Sequence, residues 1–190
     1  METKELIQIG LANVKRLLDR TLDGLTPAEI KWQPRPDANS IGIILFDIAR
    51  SEDSLVQSRL RGKPQLWESE KWYQKLNKGA DDTGGHYTAE QVAAFVVPDL
   101  KELLAYAEAV RKQTLEYLKD LAPGQLDKKV ELPPMGPPPS ATPAGTPNQP
   151  GMSPFRDMTV GSMLMMNVTH LAQHAGETSY LRGLQRGMNK

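Results

Sequence analysis

The chain has 190 residues, enough for one hydrophobic core and short for two. Its 23 Lys and Arg equal its 23 Asp and Glu, so no overall field favours nucleic acid or an anionic membrane as a partner. Cysteine is absent, which excludes disulfides, thiolate ligands and a cysteine nucleophile, and leaves His, Asp and Glu as the strong metal ligands.

The segment from Met1 to Asp19 mixes charges with isolated apolar residues and reads as a helix rather than a signal peptide. No stretch approaches the roughly 20 apolar residues of a membrane span. The expectation is one soluble, cytoplasmic domain over residues 1–190. The first helix is expected from Thr3 to Leu22, where Ile7, Leu11, Val14, Leu18 and Leu25 follow the helical period. Gly24 ends it, and Thr26-Pro27 has the form of a cap followed by proline at the first helical position. Trp32, Pro34 and Pro36 lie in the next connection.

Ser40 is the expected N-cap of a second helix running to about Leu60, with Ile41, Ile44, Leu45, Ile48 and Leu55 as its buried stripe. Asp47 falls on one shoulder of that stripe and Glu52 nearer its centre. Carboxylates at such positions need partners, because an unpaired buried charge is costly. Gly62 and Pro64 end the helix. The aromatic, polar stretch Gln65 to Tyr87, closing in Gly84-Gly85-His86, is expected as a long loop with at most a short helix. Thr88 caps a short helix over Ala89 to Val96.

Pro98 costs little at a first turn and much inside a helix, so the third main helix is expected from about Asp99 to Leu121. Leu100, Leu103, Ala107, Val110, Thr114 and Leu118 mark its inner face. Nine of the fifteen prolines lie between Leu132 and Pro154, a composition that sustains neither helix nor central strand and is read as an extended loop. Thr159 caps a fourth helix ending near Leu184. Four helices with two long connections make an all-α bundle that is not simply up-down-up-down.

The chemistry is concentrated on the fourth helix. Val160, Met163, Leu164, Leu171 and Leu181 define its buried arc, and Asn167, His170 and His174 fall inside it. Imidazoles at i and i+4 can reach one ion, although the glutamate of a helical metalloprotease is missing from His170-Leu171-Ala172-Gln173-His174. The plainer reading is a pair of core histidines hydrogen-bonded to neighbours such as Asn167. Packed beside Asp47, the pair would make two imidazoles and a carboxylate, a common set for a divalent metal with open positions.

Glu177 is placed either to orient a ligand ring or to face solvent. His86 is read as exposed, with a mobile extra ligand as the other reading, and Asp81-Asp82 as a solvated turn. Met163, Met165 and Met166 are read as packing residues. The phosphate-loop, nucleophile-elbow and dinucleotide motifs are all missing.

In this order, Leu25-Thr26-Pro27-Ala28-Glu29-Ile30-Lys31-Trp32-Gln33-Pro34, Ala38-Asn39-Ser40-Ile41-Gly42, Asp47-Ile48-Ala49-Arg50-Ser51-Glu52-Asp53, His170 to His174 and Gly176-Glu177-Thr178-Ser179-Tyr180-Leu181-Arg182-Gly183-Leu184 resemble the DinB-like superfamily of four-helix bundles. The resemblance implies a metal held by one residue of the second helix and two of the fourth: Asp47, His170 and His174. The family's second-helix ligand is usually histidine, so Asp47 is a departure, and zinc, nickel, iron and manganese all stay open as the divalent metal. Relatives include thiol-dependent transferases and isomerases using bacillithiol or mycothiol, and homodimers are common among them. The implied function is a metal-dependent S-transferase or isomerase acting on a low-molecular-weight thiol and a small electrophile, with no residue assigned as acid or base. The alternative is a non-catalytic, stress-related dimeric bundle that binds metal or ligand.

Overall fold

The computed structural model describes residues 2–130 and 158–187. The proline-rich segment 132–154, expected as an extended loop, lies outside them. Four long helices carry the architecture: α1 (Thr3–Leu22), α3 (Ile41–Asp53), α7 (Leu100–Asp120) and α8 (Val160–Arg186). Short helices fill the connections: α2 (Pro27–Lys31), α4 (Leu66–Ser69), α5 (Trp72–Lys75) and α6 (Ala89–Ala93). The described residues contain no strand, only an isolated antiparallel bridge between Lys129 and Thr159.

The helix starts follow their capping chemistry. Thr26, Ser40, Thr88 and Thr159 each accept a backbone N–H from the first turn of the helix that follows. Asp99 does the same for α7, and Pro98 stands just before it, as its missing N–H requires. The second helix does not stay α-helical to Leu60. From Ser54 to Leu60 it widens into a π-helical stretch, where Leu55 and Val56 remain buried against Met163 of α8.

Helix α8 packs against α1 and α3, and α3 packs against α7. Helix α3 is therefore central, and nearly every one of its side chains is buried. That position explains why three charged residues at its end are paired within the protein. Glu52 takes a two-pronged ion pair from Arg111 of α7, with both N···O distances 2.8 Å. Arg111 also donates to the Leu11 carbonyl of α1, so one guanidinium ties three long helices.

Asp53 is completely buried. It accepts the backbone N–H groups of Leu66 and Trp67 at 3.0 and 2.9 Å and the Tyr106 hydroxyl at 2.7 Å. Burial nonetheless pushes its carboxyl above the usual range. Arg50 lies over the Trp67 ring and donates to Gln65, Tyr106 and the Asp82 carbonyl. This network turns the aromatic stretch into packed structure. Trp67 is fully buried against Phe46, Tyr73 and Tyr106, so the segment expected as a loop supplies part of the core.

Candidate metal centre

Asp47 leaves α3 on the side that faces α8, and His170 and His174 leave α8 one turn apart. Nitrogen and oxygen atoms of the three residues all lie within 4.8 Å of one another. His174 Nε2 is 3.0 Å from Asp47 Oδ2 and 3.0 Å from His170 Nε2. The two rings meet edge to face, with centroids 4.5 Å apart and planes at 89°. The cluster is half-buried: the His174 side chain is 16% exposed and that of Asp47 is 25% exposed.

The outer nitrogens are also engaged. His174 Nδ1 is 2.8 Å from Glu177 Oε2, and His170 Nδ1 is 3.4 Å from the Ser51 hydroxyl. Ser51 donates its own hydroxyl proton to the Ile48 carbonyl, which leaves its oxygen to accept from His170. With each Nδ1 beside its own oxygen partner, both Nε2 atoms turn toward Asp47, the arrangement that ligation through Nε2 requires once His174 has given up its Nε2 proton. Glu177 thus takes the orienting position open to it in the sequence. Asn167 is buried, but its Nδ2 lacks a partner among the described residues, and Ser51 takes the role expected of it.

The electrostatics separate the two imidazoles. The hydrogen bond to Asp47 raises the pKa of His174 to about 9 against the opposing effect of burial, with Glu177 adding to the rise. Burial lowers His170 below the ordinary imidazole value, and the charge on His174 lowers it further. Without a metal, the set at neutral pH is a His174 imidazolium between Asp47 and Glu177, beside a neutral His170.

The donor set fits a divalent ion. One ligand atom from each of the three residues lies within 4.8 Å of the others, so all three can reach one small ion. Two neutral nitrogens and one carboxylate oxygen suit zinc, nickel, iron or manganese without choosing among them.

One wall of the site comes from the 82–87 turn. Gly84 has φ +86°, and a Cβ there would stand 2.4 Å from the Arg50 Cβ, so only glycine allows the turn to lie on α3. A Cβ on Gly85 would sit 3.2 Å from Asp47 Oδ1, the carboxylate oxygen facing away from His174. Asp82, expected as a solvated turn residue, is a clasp. It accepts Gly84 N–H and the Tyr87 hydroxyl through Oδ1, and its carbonyl receives Arg50. The Tyr87 phenol is held above its ordinary pKa by burial first, then by Asp82, with Asp47 contributing charge. The signals available in the sequence were the glycine pair and the acidic residue before it.

No curated protein matches the chain. A solved structure, that of a conserved protein of a locus from Enterococcus faecalis, superposes with a TM-score of 0.74. The two are 23% identical, and the match covers 97% of each chain, which establishes a shared fold. The sequence model of the DinB superfamily matches residues 11–178, a span that includes Asp47, His170 and His174. The chain belongs to the DinB superfamily.

Proposed function

We propose that Asp47, His170 and His174 hold one divalent metal ion, and that the chain is a metal-dependent enzyme joining or rearranging a small thiol and an electrophile. The observation that carries the metal reading is the convergence of two imidazole Nε2 atoms on the Asp47 carboxylate, with both Nδ1 atoms occupied elsewhere. When bound, the metal supplies a Lewis acid that favours thiolate over thiol at neutral pH.

The protein's residues do the rest. Glu177 and Ser51 orient the two rings so that both Nε2 atoms face Asp47. Asp47 brings a negative charge that offsets part of the cation's charge. The Gly84–Gly85 backbone covers one side of Asp47, while the partial exposure of His174 leaves an approach for substrate. A homodimer is part of the same reading and rests on the family, while the cytoplasm rests on the cysteine-free composition and the lack of a membrane-length apolar stretch.

The test is elemental analysis of purified protein beside Asp47→Ala and His170→Ala, followed by assay against a panel of low-molecular-weight thiols and electrophiles. Stoichiometric metal in the parent, its loss in His170→Ala and a parallel loss of turnover are expected. Metal-free protein whose thermal stability does not respond to divalent ions overturns the reading. A second reading, a bundle that binds metal or ligand without turnover, is favoured by a carboxylate standing where the family usually has imidazole. Intact metal binding with no activity across the panel selects it.

A further inference from the structure

We propose that His86 is a fourth, movable metal ligand of the centre, carried to the open side of Asp47, His170 and His174 by the Gly84–Gly85 turn. The inference rests on the metal reading above and adds a residue to it.

The argument starts from the backbone. Gly84 lies against Arg50 and Phe46 of α3, and Gly85 lies against Asp47, so two successive residues are seated along one turn of that helix. A side chain at Gly84 would collide with Arg50, and one at Gly85 would crowd the Asp47 carboxylate. His86 follows directly, and one residue advances the chain by about 3.8 Å, so its side chain starts within an imidazole's reach of the cluster. The residues on both sides of it lie near the same carboxylate: a Cβ on Gly85 would stand 3.2 Å from Asp47 Oδ1, and the Asp47 charge acts on the Tyr87 phenol.

The anchoring is specific to the flanks and leaves His86 free. Asp82 clasps Gly84 and Tyr87, Arg50 holds the Asp82 carbonyl, and Tyr87 packs on Phe95. His86 itself is exposed, has φ +60°, and takes no hydrogen bond or ion pair among the described residues. Histidine is one of the few non-glycine residues that adopt this left-handed conformation with any frequency. A packing role does not account for a side chain with no partner, and its nitrogens lie outside the 4.8 Å cluster. The ring must therefore swing inward to ligate. Ligation by His86 would add a third nitrogen to the two imidazoles and the carboxylate.

The experiment compares the parent, His86→Ala, Gly85→Ala and His170→Ala by competitive titration of zinc and cobalt(II) against a chelator. Visible spectra of the cobalt-loaded proteins are recorded alongside. His86→Ala is expected to lose about tenfold in affinity, at the low end for lost metal-site contacts, and to change the cobalt spectrum. Its metal-free thermal stability should fall only slightly, by the backbone cost of alanine at positive φ, because the side chain is exposed. Gly85→Ala, which keeps every donor but displaces the turn, is expected to weaken binding in the same direction. Parent and His86→Ala proteins that bind cobalt with equal affinity and identical spectra overturn the inference and leave the three-residue centre standing. A parent that binds no better than His170→Ala overturns the centre and the inference together.

Discussion

Metal binding at this centre should expel a proton, and the pH dependence of affinity measures it. In the metal-free fold His174 donates one ring proton toward Asp47 and the other to Glu177, with a pKa raised to about 9. Nε2 must give up its proton before it can ligate. At pH 7 the gap of about two units amounts to about 3 kcal/mol, at 1.36 kcal/mol per unit. Affinity at pH 7 is therefore about a hundredfold below its plateau, and it should tighten about tenfold per unit until pH approaches about 9.

An unperturbed histidine would give a different curve, flat above about 6.5. His170, held low by burial, adds a second competing proton only on the acid side of that value. Calorimetric titration in buffers of different ionisation enthalpy counts the released proton directly, and about one per metal is expected between about pH 7 and pH 8. Glu177→Gln removes one of the anions that raises His174, so its slope across neutral pH should be shallower than the parent's. An affinity that is flat from about pH 7 to pH 8.5, or binding with no proton released, refutes the reasoning.

Two further outcomes follow from the same contacts. The raised pKa of His174 stabilises the metal-free fold fully below its unfolded value of about 6.5, and that contribution is lost as pH rises through about 9. Urea unfolding of metal-free protein should lose at most about 3 kcal/mol between those limits, while His174→Gln should show no such loss. Asp53→Ala strips two backbone N–H groups and the Tyr106 hydroxyl of their acceptor and leaves the buried Arg50 guanidinium without its nearest carboxylate. It should cost about 3–5 kcal/mol in the same assay, and a loss below about 1 kcal/mol would show that the network does not anchor the aromatic segment.

Much of the fold could be read from local chemistry. Thr26, Ser40, Thr88 and Thr159 are caps because their side-chain oxygens satisfy N–H groups within three residues, a relation visible in one dimension. The same holds for the inner face of α7, where Leu103, Val110, Thr114 and Leu118 are buried as their spacing implies. The aromatic segment was less legible. Trp67 is core because Asp53 captures its backbone N–H from another helix, and no periodicity within the segment encodes that bond. Glu52 was legible as a carboxylate in need of a partner, but Arg111 could be identified only once α3 and α7 were packed.

For the candidate centre the division is equally physical. Helical geometry alone places His170 and His174 on one face and Asp47 on the shoulder of another, since residues four apart share a side of the helix wherever it packs. Tertiary packing decided that these faces meet with His174 Nε2 3.0 Å from Asp47 Oδ2. It also decided that Ser51 and Glu177 occupy the outer nitrogens, and that a two-glycine turn closes over the remaining carboxylate oxygen. The pattern of the chain determines which side chains face inward together. Which of them touch depends on how the helices cross and where the turns are clasped, and those contacts set the charge on His174.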